Sequence, residues 1–165
     1  MDNFEILSRL ASQESHHSDD ATCDTENMLK FLIVRVKDKQ YAFFVEQIKE
    51  IVTNVSLYFV PFVPSYIRGF INRHGLPHTV FDLNAIFERE LLESSTFLIS
   101  NDENDQIAFL VSGVTEILKI PENEVHMLST SNNQEGFVKG AITTPDGEIF
   151  ILNLPNIIER LENDL

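Results

Sequence analysis

The chain is written twice. Phe31-Leu32-Ile33 recurs as Phe97-Leu98-Ile99, 66 residues on (97 − 31 = 66). At the same offset Tyr41-Ala42-Phe43-Phe44-Val45 returns as Ile107-Ala108-Phe109-Leu110-Val111, and Ile48, Glu50 and Ile51 return as Val114, Glu116 and Ile117. The copy resumes 71 residues on (138 − 67 = 71): Ile67-Arg68-Gly69 matches Val138-Lys139-Gly140, Asp82-Leu83 matches Asn153-Leu154, and Ile86-Phe87 matches Ile157-Ile158. A duplication of this length governs every later step, because it defines the unit that folds. Each unit is too small to hide its apolar face comfortably alone. Two units packed together leave a seam, and a seam is a place to bind.

Within the units the pattern is that of short strands and tight turns. Leu32, Val34 and Val36 alternate toward one face, Lys37-Asp38-Lys39 turns the chain, and Gln40–Phe44 returns. Val45, Ile48 and Val52 then change spacing to three or four, which predicts a helical turn; Val111, Val114 and Leu118 repeat it. Ile67–Asn72 and Thr79–Leu83 flank the turn Arg73-His74-Gly75, and Val138–Thr143 and Ile149–Leu152 flank Pro145-Asp146-Gly147. Asp-Gly between apolar runs is a strong hairpin signal. Short helices are expected at Asn84–Leu91 and at Pro155–Leu161, with Pro155 in the first turn, where its missing N–H is not needed. Five strands per copy give an all-β body with a few short helices, built as small barrels or strongly coiled sheets.

Residues 1–27 read differently. Seven carboxylates face Arg9 alone, and Ser, His and Asp cluster from Ser12 to Asp20. Such a stretch buries too little apolar surface to offset its ordering entropy. Phe4, Leu7, Leu10 and Ala11 can line one face of a short helix that docks on the body or a partner. The organisation expected is an acidic, mostly flexible tail over 1–27 and a body over 28–165, with repeats at about 29–91 and 95–162 forming two interleaved subdomains.

The balance of 12 basic against 26 acidic residues gives a net charge of −14 and disfavours nucleic acid and anionic lipid. The single cysteine, Cys23, forms no intramolecular disulfide and fits a reducing compartment. No run approaches the ~18 apolar residues that span a bilayer, and the start has no basic-then-apolar leader, so a cytoplasmic location without membrane insertion is expected.

Catalytic signatures are missing. There is no G-x-S-x-G, P-loop, paired-glycine fingerprint or C-x-x-C. His74, His78 and Asp82 are spaced like zinc ligands on a helix, but Gly75 and Pro77 break any helix there, and polar hairpin positions are the favoured reading. Asn101-Asp102-Glu103-Asn104-Asp105 lacks the glycine and distal glutamate of a calcium loop and reads as a hairpin tip. A binding module with no cofactor is expected; a metal-dependent enzyme on His74, His78 and Asp82 is the rival from another class.

The stretch Ile67-Arg68-Gly69-Phe70-Ile71-Asn72-Arg73-His74-Gly75, followed by Val80-Phe81-Asp82-Leu83, resembles the signature of the CheW-like family, R-G-x-[IV]-N-L-R-G and then P-x-x-D-L. Phe31–Val34, Tyr41-Ala42, Val45–Ile51 and Ile107–Pro121 resemble it too, so the likeness spans about 29–161. It implies two similar five-stranded SH3-like β-barrel subdomains packed together. It implies a non-enzymatic coupler, which holds the helical cytoplasmic tip of a chemoreceptor beside the regulatory domain of a CheA-type histidine kinase, in arrays at the inner face of the membrane. The kinase domain would pair barrel against barrel, and the receptor helix would lie in a groove of Val, Ile and Phe between subdomains. The positions carried over as partner-binding are Ile48, Glu50, Arg68, Gly69, Asn72 and His74. Gly69 has a structural role open to it at a bulge or close approach, Glu50 local pairing, and Ile48 a core place. Asp82 is expected to cap the helix that follows. The chain departs from N-L-R-G at Asn72-Arg73-His74-Gly75: the arginine stands one place early, which on a strand turns it to the opposite face, and His74 takes its position. The resemblance therefore also allows a divergent adaptor that binds only one partner or serves pili or surface motility.

Overall fold

The computed structural model describes residues 27–102, 104–128 and 136–164. The tail helix, His16-His17, Cys23 and Glu103 of the acidic hairpin tip lie outside the described residues. Strands β1 (Met28–Val36), β2 (Lys39–Phe44), β3 (Ile48–Thr53), β4 (Leu57–Tyr58), β5 (Ile67–Arg73) and β6 (Leu76–Asp82) lead into helix α1 (Leu83–Glu88). The second half repeats the order with β7 (Thr96–Ser100), β8 (Ile107–Val111), β9 (Gly113–Pro121), β10 (Val125–Met127), β11 (Val138–Thr144), β12 (Gly147–Leu152) and helix α2 (Leu154–Asn163).

Each half divides its strands between two sheets. One six-stranded sheet runs β10-β11-β12-β2-β1-β9 and the other β3-β7-β8-β6-β5-β4. The first hairpin of each half is therefore inserted into the sheet made by the remaining four strands of the other. Both insertions are closed by a parallel pair at equivalent places: Tyr41 beside Phe150, and Ile107 beside Thr79. Neither half completes a sheet with its own strands. The rings of Phe43 and Phe109, which correspond to one another in the duplication, meet at 6.2 Å between centroids. Both are fully buried in a core that spans both sheets and α2. A second, smaller cluster around Phe31, Ile33, Ile142 and Ile151 fills the inside of the first sheet.

The architecture is all-β with two short helices, as the resemblance implies, but each half carries six strands. The helical turn expected across Val45–Val52 is a single 3-10 turn, Val45–Gln47, before β3 begins. In the second half β9 starts at Gly113 with no such turn. The cause is a bulge. Lys49 is an extra residue opposite β7, and its counterpart Thr115 is an extra residue opposite β1. One inserted residue shifts the two-residue alternation by one, and the apolar spacing then imitates a helix.

Because Phe43 and Phe109 touch across the two sheets, each truncation opens a cavity that both sheets share. Phe43→Ala and Phe109→Ala should each cost about 3–5 kcal/mol, and the double variant less than the sum. Urea titration of the four proteins measures this. Strict additivity would show that the two rings do not share one core.

Candidate partner-binding site

Arg68 and Gly69 are turned to the fold's own needs. Arg68 is the extra residue of a bulge between β5 and β6, as Lys139 is between β11 and β12. Its guanidinium donates to Asp82 Oδ2 and to the Leu92 carbonyl, both at 2.8 Å. Asp82 is fully buried. Its Oδ2 also accepts from the Leu92 N–H at 2.8 Å, and its Oδ1 accepts from Ala85 N–H at 3.0 Å, which caps α1 as expected. A buried carboxylate is tolerable when each oxygen has donors and a cation stands beside it. Gly69 has φ +132°, and a Cβ there would lie 2.0 Å from the Tyr58 carbonyl oxygen, so β4 can pair with β5 only if residue 69 is glycine.

Glu50, Arg73 and His74 form the exposed part. Glu50 lies on β3, at one end of its sheet; Arg73 ends β5, next to the other end. The Arg73 guanidinium nevertheless grips Glu50 Oε1 with both Nε, at 2.9 Å, and Nη2. Contact between strands so far apart in the pairing order means that the sheet curls back on itself, and this ion pair clamps the closure. His74 Nε2 stands 3.5 Å from Glu50 Oε2, an ionic contact when the ring is protonated. The expectation that Arg73 faces away from the His74 position is corrected here. Arg73 is the last strand residue, and His74 and Gly75, with φ +53° and +78°, make the tight turn, so strand alternation stops before it can separate them. Arg73 and its clamp were missed by sequence reasoning; an acid and a base on strands of one curled sheet was the signal present.

Ile48 begins β3 and is half-buried against the main core; Asn72 is exposed on β5 opposite Pro77. Several apolar side chains are exposed on or beside these strands. Ile51 follows Glu50, Leu76 pairs with Arg73, and Tyr58, Phe59 and Phe62 crowd the short edge strand β4. Phe62 is wholly exposed at φ +60°, a conformation unusual for a bulky residue.

A cleft of about 590 Å³ lies between the β7–β8 hairpin, the 3-10 turn and α2. Glu46, Asp102, Asp105, Glu159 and Glu162 rim it over Leu154 and Ile158. Asp105 holds the Glu162 carboxyl above its ordinary range by repulsion, with burial adding. His74, His78 and Asp82 are not brought together: His78 Nδ1 lies 3.1 Å from the Leu76 carbonyl, and both Asp82 oxygens have donors. Among the described residues no group of three His, Cys, Asp or Glu could hold a metal ion, and no helix is long and apolar enough to cross a membrane.

Comparison with known proteins places this geometry. The family model of the CheW-like domain matches residues 30–162. The chain belongs to the CheW-like domain family. It is 26% identical over 141 residues to the chemotaxis protein CheW of Helicobacter pylori, covering 83% of this chain and 86% of that protein. It is 24% identical over 142 residues to the chemotaxis protein CheW of Thermotoga maritima, covering 84% and 93%. The crystal structure of the scaffolding protein TtCheW from Thermoanaerobacter tengcongensis superposes with a TM-score of 0.67 at 25% identity, over 76% of this chain and 89% of that one.

Two outcomes follow from the site's electrostatics. Arg68→Ala should lose about 3 kcal/mol in urea titration, because it leaves the buried Asp82 without its cation; a loss as small as that of an exposed ion pair would refute the assignment. The second concerns Glu50, whose carboxyl the Arg73 guanidinium holds below its usual range, with His74 adding. A folded-state value below the unfolded one of about 4.3 gives stabilisation that is present above that pH and lost as pH falls through the depressed value. The thermal midpoint of the wild type should therefore exceed that of Glu50→Gln at pH 7, and the two should converge on acidification. Parallel curves would show that the clamp contributes nothing.

Proposed function

We propose that this chain couples chemoreceptors to a CheA-type histidine kinase, with β3 and the β5–β6 turn meeting the receptor's helical cytoplasmic tip and the β4 edge meeting the kinase's regulatory domain. Family membership over 30–162 carries the reading. The protein is a non-enzymatic scaffold of the chemotaxis type.

The surfaces support the finer assignment. An amphipathic receptor helix needs a few apolar anchors and polar groups to set its register. Ile48 and Leu76 supply the first; Glu50, Asn72 and His74 supply the second. Gly69 lets β4 pair with β5 and Arg68 holds the cap of α1, so both act by building the fold. A two-residue edge strand with Tyr58, Phe59 and Phe62 exposed beside it suits barrel-against-barrel contact with the kinase domain. Such contacts are individually modest, and an array sums them through multivalency. The working place would be the cytoplasmic face of the membrane, held there by receptors and without insertion. One observation favours an adaptor that has kept a single partner: Arg73 is spent on Glu50, and the basic group left exposed at the turn is His74, itself beside Glu50.

Calorimetric titration of purified protein with a receptor helical hairpin and with the kinase regulatory domain separates the readings. His74→Ala should weaken receptor binding by about tenfold and leave kinase binding and the thermal midpoint unchanged. Phe62→Asp should do the reverse. If neither variant alters either affinity, the site assignment is wrong. If wild type binds only one partner, the adaptor reading replaces the coupler.

A further inference from the structure

Lys30 on β1 and Lys119 on β9 are direct cross-strand partners. Both are exposed, and neither has an ion-pair partner among the described residues. Partners in an antiparallel pair project from the same face, and like charges placed so repel. Met28 and Ile117 flank them on that face, and both are substantially exposed. The duplication makes the pair specific to this half, since the counterparts of Lys30 and Lys119 are Thr96 and Thr53, which also pair with one another. In a chain of net charge −14 with 12 basic residues, two adjacent unpaired lysines beside exposed apolar groups offer an acidic segment both charge and apolar contact. Glu122, just past β9, does not serve: its carboxylate accepts from Asn27 Nδ2 at 3.4 Å.

The chain itself carries an acidic stretch close in sequence. The described residues begin at Asn27, three residues before Lys30, and residues 1–26 carry seven carboxylates against Arg9. Four of the seven, Asp19, Asp20, Asp24 and Glu26, lie within eight residues of Asn27. Lys30 stands about 10 Å along β1 from Asn27 at the rise of a strand, and an extended chain covers that distance in about three residues. We infer that the N-terminal segment folds back over the Lys30–Lys119 face, its carboxylates on the two ammonium groups and its apolar residues against Met28 and Ile117. The segment then occupies this face against any acidic partner in trans, at the high effective concentration that a short tether confers. The contact joins two parts of one chain and holds whatever the partners are.

Paramagnetic relaxation enhancement on the full chain tests this. A nitroxide is attached at position 15 in a Cys23→Ser, Ser15→Cys protein, and amide broadening is compared between Lys30 and Lys119 and their counterparts Thr96 and Thr53. Enhancement should be several-fold greater at the lysine face. It should fall by about threefold or more in Lys30→Gln/Lys119→Gln, and likewise at about 1 M salt, where the screening length is ~3 Å. Equal broadening at both faces, or broadening indifferent to the lysines and to salt, overturns the inference. So does a lysine face that ignores the tail yet shifts on adding a synthetic Glu-rich helical peptide, which would make the occupant an external one.

Discussion

The exchange of first hairpins between the two halves is the constraint on which the rest depends. It is held by two parallel pairings at equivalent positions and by the meeting of Phe43 with Phe109. With each sheet needing strands from both halves, a change in one half is felt in the other. Rigidity follows from this. The β3 and β5 residues of the proposed receptor surface belong to the first half, yet β3 pairs with β7 of the second. A scaffold must keep its partners in fixed relation, and shared sheets achieve that without a hinge.

On this frame the halves have diverged at matching points. Both carry the bulge residue that precedes a required glycine, Arg68-Gly69 and Lys139-Gly140. In the first half the bulge arginine is locked to buried Asp82. In the second, Asn153 replaces the acid and caps α2 through the Asn156 N–H, while Lys139 lies over the Phe44 ring at 4.9 Å. The clamp has diverged too, for Glu116 stands where Glu50 does, but Thr144 and Pro145 stand where Arg73 and His74 do. One duplicated backbone thus presents a basic, clamped turn on one side and, with Asp146, an acidic turn lacking that arginine on the other.

What could be read from the sequence was what is local. The hairpins around Gly75 and Asp146-Gly147, the cap at Asp82 and the strand alternation of β1 depend on neighbours in the chain. Glu50 and His74 were named and do meet. The hairpin exchange was not legible, because nothing near Tyr41 announces Phe150 as its partner. The bulges at Lys49 and Thr115 misled, since one inserted residue makes a strand's apolar spacing look helical. Arg73 was assigned to the wrong side for a related reason: alternation was extended past the end of a strand, and the curl that returns β5 to β3 is a property of the whole sheet. Arg68 and Gly69 carry the strongest motif, yet their chemistry is spent inward. A signature can thus mark what builds a surface as readily as what touches a partner.

Charge orders the remaining surface. Lys37 and Lys39 are engaged by Glu90 and Glu88, Arg68 by Asp82 and Arg73 by Glu50. With those cations committed, the carboxylates around the cleft repel one another enough to raise Glu162, and nothing basic relieves them among the residues that line it. An acidic body of this kind repels acidic partners at range and admits them only where cations remain uncommitted. Lys30 and Lys119 mark one such place, His74 another. The first lies three residues from an acidic stretch of the same chain, and the second stands beside Glu50 at the tip of a turn. The few positive groups left free thereby decide which surfaces of this scaffold are open, and the many negative ones ensure that the choice is narrow.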